Sequence, residues 1–397
     1  MIRQLIIGTL FTLSTSIASA QLSLQEYVDM VVAYSHTIAS AEAKVDGADA
    51  EYRIAKRGVL PTVSLSSDVP DLDVGVDILQ PIYNGGRNTA LTRQREWGIV
   101  EAEQSLERSM LDVRYDAEVA YWSLSRAEMY HRAMCDYIAI VQTLKSVAQH
   151  RFDEGYTSKS DLLQVESRLS DAEYLLSEAE QRWIVALHRF NILRGEIATT
   201  NVLLSEGIFD NYEMPTREDV AMIVENHPDY LRAVAGRESA RYSIDLRRAE
   251  YLPKVNLGLF GRWQPTLDGS ANGGVMLSLN TPIFHFMERR DAIRSAESNY
   301  TSAQLQIADV VDEIVLNESN GWANLEYTHR RVEAVQRNLD IAQENLEIST
   351  YSYREGVATI LDVLQAQISW LQIYENAIAA EYDYAVAIAS YRYIVGK

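Results

Sequence analysis

The residue types that most often do chemistry are present in this 397-residue chain, but their spacing matches no catalytic or metal-binding pattern. Gly85-Gly86 and Gly273-Gly274 lack the GxxxxGK(S/T) sequence of a phosphate-binding loop. Met276 and Met287 lie near a predicted strand, where packing is a commoner role than binding a soft metal. The histidines show neither HExxH spacing nor pairing with Cys135; they are His36, His131, His150, His188, His227, His285 and His329. We therefore expect no enzyme, no catalytic residue, no metal and no cofactor.

Two aspartates occupy positions where a carboxylate has a physical role without any chemistry. Asp161 and Asp362 each follow a glycine-containing turn and come just before apolar residues of a predicted helix. A negative charge in the first turn of a helix is stabilised by the helix dipole. A purely structural role would therefore account for both residues.

Composition excludes some partners. The net charge of −20 argues against nucleic acid, because proteins that bind phosphates concentrate Lys and Arg. The single cysteine, Cys135, excludes an internal disulfide framework and is too far from the mature N-terminus to be a lipoprotein cysteine. It lies within a helical pattern, where we expect a buried thiol.

The first twenty residues have the features of a signal peptide. Arg3 gives a positive start, Leu5–Ile17 is a short apolar stretch, and Ala18-Ser19-Ala20 is a cleavage site before Gln21. The stretch is shorter than the roughly 20 residues that span a bilayer, which disfavours a retained anchor. No other run of 18 apolar residues follows. Any later membrane crossing would need strands closed into a barrel.

The chain repeats itself, and the repeat defines the elements that must position any site. An offset of 192 aligns Glu26–Val28 with Glu218–Val220 and Leu60-Pro61 with Leu252-Pro253. After nine inserted residues the offset is 201, which aligns Pro81-Ile82 with Pro282-Ile283, Gly155 with Gly356, Asp161 with Asp362, Leu163-Gln164 with Leu364-Gln365 and Gly195 with Gly396. These matches predict a first repeat over 21–195, a linker or equatorial segment over 196–215 and a second repeat over 216–397.

Each repeat predicts a helix, a pair of strands and a helical hairpin. The first helices are expected at about 23–57 and 216–250. Strands are expected at about 62–80 and 254–281, where apolar residues alternate with others, as at Val74, Val76 and Ile78. Segments of this length can cross a bilayer when tilted, although a soluble hairpin shows the same alternation.

The helical hairpins are predicted at about 88–195 and 289–395. From Asn88 to Asp153 there is no proline and only one glycine, Gly98, and apolar residues recur at steps of three and four. Such a helix would be about 95–100 Å long. Four strands per chain cannot close a membrane barrel, whereas three chains would supply twelve. The predicted fold class is therefore mixed: a trimeric transmembrane β-barrel continued by a periplasmic α-helical barrel of antiparallel hairpins, with two internal repeats.

Three segments resemble the TolC-type outer membrane efflux protein family. Gln80–Arg87, QPIYNGGR, is similar to the junction between barrel and helical tube in that family. Arg151–Leu163 and Tyr353–Leu364 are similar to its first and second periplasmic hairpin tips. The resemblance covers essentially the whole mature chain. The second junction, Pro282–Met287, lacks the Gly-Gly pair, so the two barrel exits are not expected to be equivalent.

The resemblance implies a homotrimeric channel in the outer membrane of a Gram-negative bacterium, extending into the periplasm. It would be a passive conduit in a tripartite efflux or type I secretion system. Its implied partners are outer membrane lipid, a periplasmic adaptor (membrane fusion) protein and an inner-membrane RND, ABC or MFS pump, with no nucleic acid. The junction residues would be Pro81, Gly85, Gly86 and Pro282. The adaptor-docking tips would be Gly155, Tyr156, Thr157 and Ser158 together with Gly356, Val357, Ala358 and Thr359.

The resemblance also implies a gate at the periplasmic entrance. Asp362 matches the position of an acidic ring in the family, and Gln365 replaces the second acid often found one turn later. Asp161, with Ser160 beside it, and Tyr353 match the two sides of a bond between neighbouring hairpins. The family's arginine partner is replaced by Ala358, which puts a second such bond in doubt.

A different class of function competes with the channel: a periplasmic coiled-coil adaptor or structural protein. Adaptors also contain long hairpins, but normally one per chain, together with β-rich domains for which this sequence has little room. Heat-modifiable trimers in the outer-membrane fraction would favour the channel, and a soluble periplasmic monomer would favour the alternative.

Overall fold

The structure is a computed structural model, which describes residues 21–68, 73–210, 212–264, 270–284 and 286–397. The predicted signal peptide, most of the turn expected near Asp68–Asp71 and part of the Gln264–Gly274 turn lie outside the described residues. Within the described ranges, no helix combines the length and the apolar character that crossing a membrane requires.

The elements follow the two-repeat order. In the first repeat they are α1 (Leu24–Tyr34), α2 (His36–Arg57), β1 (Thr62–Asp68), β2 (Asp73–Asn84), α3 (Arg87–Asp153) and α4 (Lys159–Leu193). In the second they are α5 (Val220–Asn226), α6 (Pro228–Glu250), β3 (Lys254–Gln264), β4 (Ser270–Asn280), α7 (Glu288–Arg354) and α8 (Ile360–Ile394). Helices α3 and α7 are both 67 residues long and α4 and α8 both 35, so the two hairpins are equal in length.

The single helices predicted over 23–57 and 216–250 are each wrong, because both are broken. The first is interrupted at Ser35, an extended residue whose hydroxyl accepts a hydrogen bond from the Ile38 amide and so caps α2. The second is interrupted at His227, which precedes Pro228. A residue before proline is disfavoured in the helical conformation. The breaks lie at equivalent repeat positions, 192 residues apart.

The four strands form one antiparallel sheet in the order β1-β2-β3-β4, with a bulge in β2 between Pro81 and Tyr83. Because side chains alternate across a strand, the register assigns each residue to a face. One face is apolar across all four strands and carries Val63, Leu65, Val74, Val76, Ile78, Val255, Leu257, Leu259, Trp263, Val275, Leu277 and Leu279. The opposite face carries mostly polar residues, including Asp77 and Arg262, whose charged groups lie 3.9 Å apart.

The chain divides into two compact units, and the long helices contribute to both. The first unit contains the residues up to Tyr34 with Ala117–Glu213 and Arg330–Val386. Its core includes a layer of small and aromatic side chains from α3, α4, α7 and α8: Tyr137, Val141, Ala172, Ala342, Leu346, Ala366 and Trp370. Alanines at these positions allow the helices to approach closely, as in coiled-coil packing.

The described residues of the segment predicted as equatorial, 196–215, form turns, bends and irregular backbone, and those up to Glu213 belong to the first unit. Leu204 forms a parallel bridge with Leu22, and the Leu22 amide donates to the Leu203 carbonyl at 2.8 Å. The buried Tyr121 hydroxyl donates to the Leu22 carbonyl at 3.1 Å and accepts from the Glu206 amide at 3.2 Å. This segment and the start of the described chain are therefore packed together.

The second unit contains Ser35–Asp116, Met214–His329 and Ala387–Lys397, and it includes the sheet. In it, Glu318 has a fully buried side chain, and Arg217 donates to both of its carboxylate oxygens at 2.9 and 2.8 Å. Tyr391 donates to the same carboxylate at 3.3 Å. These bonds satisfy a charge that would otherwise be costly to bury.

The expected buried thiol is wrong. Cys135 is exposed, and its sulfur lies 4.0 Å from the imidazole of His131, one helical turn earlier on α3. The helical pattern correctly predicted that Cys135 lies on a helix but placed it on the buried face of that helix.

Candidate functional site

The two hairpin turns, α3–α4 and α7–α8, lie together in the first unit. They share one apolar cluster made of Leu144, Ala148, Leu162, Val165, Tyr353, Ile360, Val363 and Leu364. Phe152 and Ala358 pack against it from the turns themselves. The structure therefore brings both predicted tips and the predicted gate residues into one region.

Both turns have the same backbone. Gly155 and Gly356 have φ of +81° and +79°, the left-handed conformation that glycine adopts without steric cost. In the first turn, the Tyr156 and Gly155 amides donate to the Arg151 and Phe152 carbonyls at 2.8 and 3.0 Å. This pattern is a Schellman motif, which satisfies carbonyls at the end of α3.

The second turn repeats that motif at the end of α7. There the Val357 and Gly356 amides donate to the Ser352 and Tyr353 carbonyls at 2.9 and 3.0 Å. The left-handed glycines expected from the sequence are thus present at both turns, with the same hydrogen bonds around them.

The helices that follow the turns begin with reciprocal caps. Ser158 accepts from the Asp161 amide at 3.2 Å, and the Asp161 carboxylate accepts from the Ser158 amide at 3.3 Å. At the start of α8 the Asp362 carboxylate accepts from the amide and hydroxyl of Thr359 at 2.8 and 2.7 Å. Both acids therefore act as capping residues of their own helices.

Those hydrogen bonds favour the ionised acids. The Thr157 hydroxyl, which donates to Asp161 at 2.6 Å, is the main cause that lowers the pKa of the Asp161 carboxyl. The hydroxyl and then the amide of Thr359 lower the pKa of the Asp362 carboxyl. Asp362 and Gln365 are both exposed, three residues apart on α8, and so share one face of that helix.

Tyr353 occupies a different environment. Its side chain is only 3% exposed, and this burial raises the pKa of its phenol. Its hydroxyl makes no hydrogen bond of standard geometry with any described residue, although the Thr157 side chain lies near enough to oppose part of the rise in its pKa. Ser160, beside Asp161, is exposed. The bond matched to Asp161 and Tyr353 is thus not formed within the described part of one chain, and Asp161 binds Thr157 instead.

The sequence reasoning gave no role to Arg151, which joins the two turns. Its guanidinium donates to the Tyr353 carbonyl at 2.5 Å and lies 4.9 Å from the centre of the Tyr353 ring. The contact connects residues 202 positions apart, so no local spacing could reveal it.

The turns also present exposed apolar side chains. Tyr156 is 72% exposed and Val357 is 84% exposed, although both are large and apolar in character. Leu163 and Leu361, at the starts of α4 and α8, are 52% and 61% exposed. Such a concentration at two matching turns is typical of a surface that binds another protein.

The predicted junction residues lie between the sheet and the long helices. Pro81 adjoins the bulge of β2, and Pro282 follows β4. Gly85 and Gly86 have φ of +67° and +82°. A Cβ on Gly85 would lie only 2.7 Å from the Leu252 Cβ, so this position requires glycine for space as well as conformation.

The second junction has the same backbone without glycine. Phe286 and Met287 occupy the repeat positions of Gly85 and Gly86 and have φ of +30° and +73°. The two barrel exits therefore have the same positive φ but different side chains, and the backbone is strained only at the second exit. Side chains with a Cβ are disfavoured at such angles.

Among the described residues, no group of three histidine, cysteine, aspartate or glutamate side chains is placed to hold a metal ion.

Comparison with known proteins identifies relatives. The family model for outer membrane efflux proteins matches residues 28–195 and 220–397. Nodulation protein T of Rhizobium leguminosarum bv. trifolii is 23% identical over 390 residues, which cover 90% of this chain and 81% of that protein. The outer membrane efflux protein BepC of Brucella suis is 22% identical and covers 96% of this chain and 87% of its own length.

Solved structures share the fold. The CmeC outer membrane channel of Campylobacter jejuni superposes with a TM-score of 0.82, at 18% sequence identity, over 94% of this chain and 85% of that chain. The two segments matched by the family model begin 192 residues apart, which is the offset between the repeats.

Proposed function

The chain belongs to the outer membrane efflux protein family, and on that premise we propose that three copies form the channel of a tripartite efflux or type I secretion machine. The protein is an outer-membrane component of such export systems. Its assembly as a trimer, its adaptor-docking surface and its gate are proposals. No reaction is assigned to the chain.

The observation that carries the proposal is the apolar face of the sheet. Val275, Leu277 and Leu279 on β4 are 69%, 70% and 68% exposed, and Val63 and Leu65 on β1 are 69% and 74% exposed. A water-facing sheet would hide such a face. Strands β1 and β4 are also the free edges of the sheet. Pairing between these edges would close three sheets into a ring of twelve strands, with the apolar face toward lipid.

The test is the oligomeric state of the protein in cells and the membrane fraction in which it is recovered. Trimers that migrate as one species unless heated, recovered in the outer-membrane fraction, are expected. Purified trimers should also give discrete conductance steps in planar bilayers. A soluble periplasmic monomer would refute the proposal and favour the competing function, a coiled-coil adaptor or structural protein.

We place the adaptor on the two turns. The adaptor-facing surface would comprise Tyr156–Ser158 and Val357–Thr359, because both turns share one backbone and expose apolar side chains. Ala358 packs against the cluster beneath the turns, and Thr157 binds Asp161, so substitutions there would disturb folding as well as docking. Tyr156 and Val357 are better test sites because their side chains are mostly exposed.

Tyr156→Arg and Val357→Arg should abolish export while leaving trimers in the membrane. The matched control is Met222→Arg on α5, where a side chain of 64% exposure is replaced outside the turns. Normal export and normal co-purification of an adaptor with both turn variants would remove the turns as the docking surface. Co-purification from native membranes also identifies whether the pump is of the RND, ABC or MFS class.

The gate is proposed at the same turns. In a trimer, three copies of Asp362 would converge on the axis, and an acidic constriction favours cation passage. The lowered pKa of Asp362 supports a charged ring at neutral pH. The second part of the gate is a contact that Tyr353 and Asp161 make across chains or on closure.

Single-channel recording separates gating from helix capping. Asp161→Ala combined with Tyr353→Phe should raise conductance if the two residues hold the entrance closed. Thr157→Val measures how much of any effect comes from loss of the Thr157 hydrogen bond alone, because it leaves the Asp161 carboxylate in place. Unchanged conductance in the double variant would leave Asp161 with only its capping role.

A further inference from the structure

A short segment connects β4 to α7, and four of its described side chains are apolar and strongly exposed. Ile283 is 93% exposed, Phe284 71%, Phe286 86% and Met287 69%. The rings of Phe284 and Phe286 meet edge to face with centroids 4.5 Å apart. Within the described part of the chain, this is a compact apolar patch that the protein itself leaves largely uncovered.

The backbone of the segment makes this exposure more significant. The first repeat uses Gly85 and Gly86 for the same turn, and glycine adopts positive φ freely. The second repeat keeps positive φ but places Phe286 and Met287 there, at a cost in free energy. Strained residues persist where other interactions offset the strain. The Met287 carbonyl accepts from the Arg290 and Asp291 amides at 2.9 and 3.2 Å, which holds the backbone of the turn. The side chains of Phe286 and Met287 are mostly exposed and gain little contact within the described chain, so they are available to a partner outside it.

The surroundings identify the contact as lipid. The segment continues directly from β4, whose Val275, Leu277 and Leu279 form part of the apolar sheet face. Glu288 follows the segment, and after it come Arg289 and Arg290, which are exposed. An apolar side-chain group next to paired arginines matches a membrane boundary, where acyl chains give way to phosphate headgroups.

We propose that Ile283, Phe284, Phe286 and Met287 form a lipid wedge: these four side chains insert into the boundary of the outer membrane at the end of the sheet nearest the long helices. The first junction has no aromatic pair at this position, so each chain carries one such wedge. The inference rests on the proposed membrane placement of the sheet. It adds a specific lipid contact and explains why the second junction departs from glycine.

Site-specific quenching tests the wedge in the intact channel. In a Cys135→Ser background, Phe286→Cys is labelled with an environment-sensitive fluorophore and reconstituted into phosphatidylethanolamine–phosphatidylglycerol vesicles. The vesicles carry a spin label either at the headgroup or deep in the acyl chain. Phe284→Cys is a second site in case the strained position does not tolerate substitution. Leu279→Cys is the control for the sheet face, and Met222→Cys is the control for an exposed residue outside it.

The wedge predicts strong quenching of the Phe286 and Phe284 labels by the headgroup spin label, several-fold above that of the Met222 label. The Leu279 label should be quenched more by the deeper spin label. Aqueous iodide is used as a second quencher, which reaches only labels in contact with water. Two outcomes overturn the inference while the Leu279 label is still quenched by lipid. Quenching of the Phe284 and Phe286 labels by iodide alone would show that these side chains face water, and quenching by neither agent would show that a second copy of the chain covers them. If the Leu279 label also escapes lipid quenching, the membrane placement of the sheet itself fails.

Discussion

Arginine on the apolar face of the sheet should destabilise the channel far more than arginine on the opposite face. Val275 and Met276 are adjacent on β4 and are 69% and 51% exposed, but they point to opposite faces. Val275→Arg and Met276→Arg each add one positive charge at nearly the same height along the strand. The pair therefore isolates the effect of the face from the effects of charge and position.

The expected magnitude follows from the position of Val275. It lies in the middle of five cross-strand rows on the apolar face, in register with Val63, Ile78 and Leu259. Arginine near the bilayer midplane costs about 2–4 kcal/mol per chain, hence about 6–12 kcal/mol per trimer. Val76 lies one row away, about 5 Å along the membrane normal for a strand tilted by about 45°. Val76→Arg should therefore cost less than Val275→Arg.

The assay is refolding of urea-denatured protein into lipid vesicles, scored as heat-resistant trimer. Val275→Arg should give little trimer, Val76→Arg an intermediate yield and Met276→Arg nearly the parental yield. Met276→Arg should instead lower the cation preference of single channels, because it adds positive charge to the polar face. Equal losses for Val275→Arg and Met276→Arg would refute the assignment of faces.

Three further predictions concern single residues. Gly85→Ala should lower the free energy of unfolding in urea by about 2–4 kcal/mol, because the added Cβ would lie 2.7 Å from a side-chain carbon. Gly86→Ala should lower it by about 1–2 kcal/mol, because its added Cβ meets no atom within 4 Å and only the positive φ is unfavourable. Asp362→Asn should lower cation preference in reversal-potential measurements. Since the Thr359 hydrogen bonds lower the pKa of this carboxyl within one chain, its capping contribution should be complete at pH values above 3.8, the ordinary aspartate value, and be lost as the pH falls through the lower folded value. Arg217→Met should destabilise the chain to urea by about 3 kcal/mol, because the buried Glu318 carboxylate loses its counter-charge and keeps the Tyr391 hydroxyl as its partner. Adding Glu318→Gln should restore part of the loss.

The regular parts of the fold could be predicted because their signals are local and repeated. Long stretches without proline gave α3 and α7, and alternation gave the strands with the correct faces. The break before Pro228 was missed although the sequence contains its signal, since proline disfavours a helical residue before it. The sequence around Ser35 gives only a weak capping signal for the break there. Comparison of the repeats reveals the break, because Ser35 lies 192 residues before His227.

Only part of the candidate site could be predicted from the sequence, for physical reasons that differ between residues. The turn glycines and the acids at 161 and 362 follow local rules of helix termination and capping. The contact from Arg151 to Tyr353 depends on packing between distant helices, which no spacing encodes. The positive φ of Phe286 and Met287 was hidden because the usual marker, glycine, is absent there.

The register of the sheet has a consequence for the order of assembly. Strand β2 ends at Asn84 and its partner β3 begins at Lys254, so 169 residues separate them, whereas five separate β3 from β4. For flexible loops this difference raises the entropic cost of closure by about 3 kcal/mol. The β2–β3 ladder should therefore form late, after the first helical hairpin has been made. Until then β2 presents an open edge, and a chain stalled in export before residue 254 would be a template for aggregation.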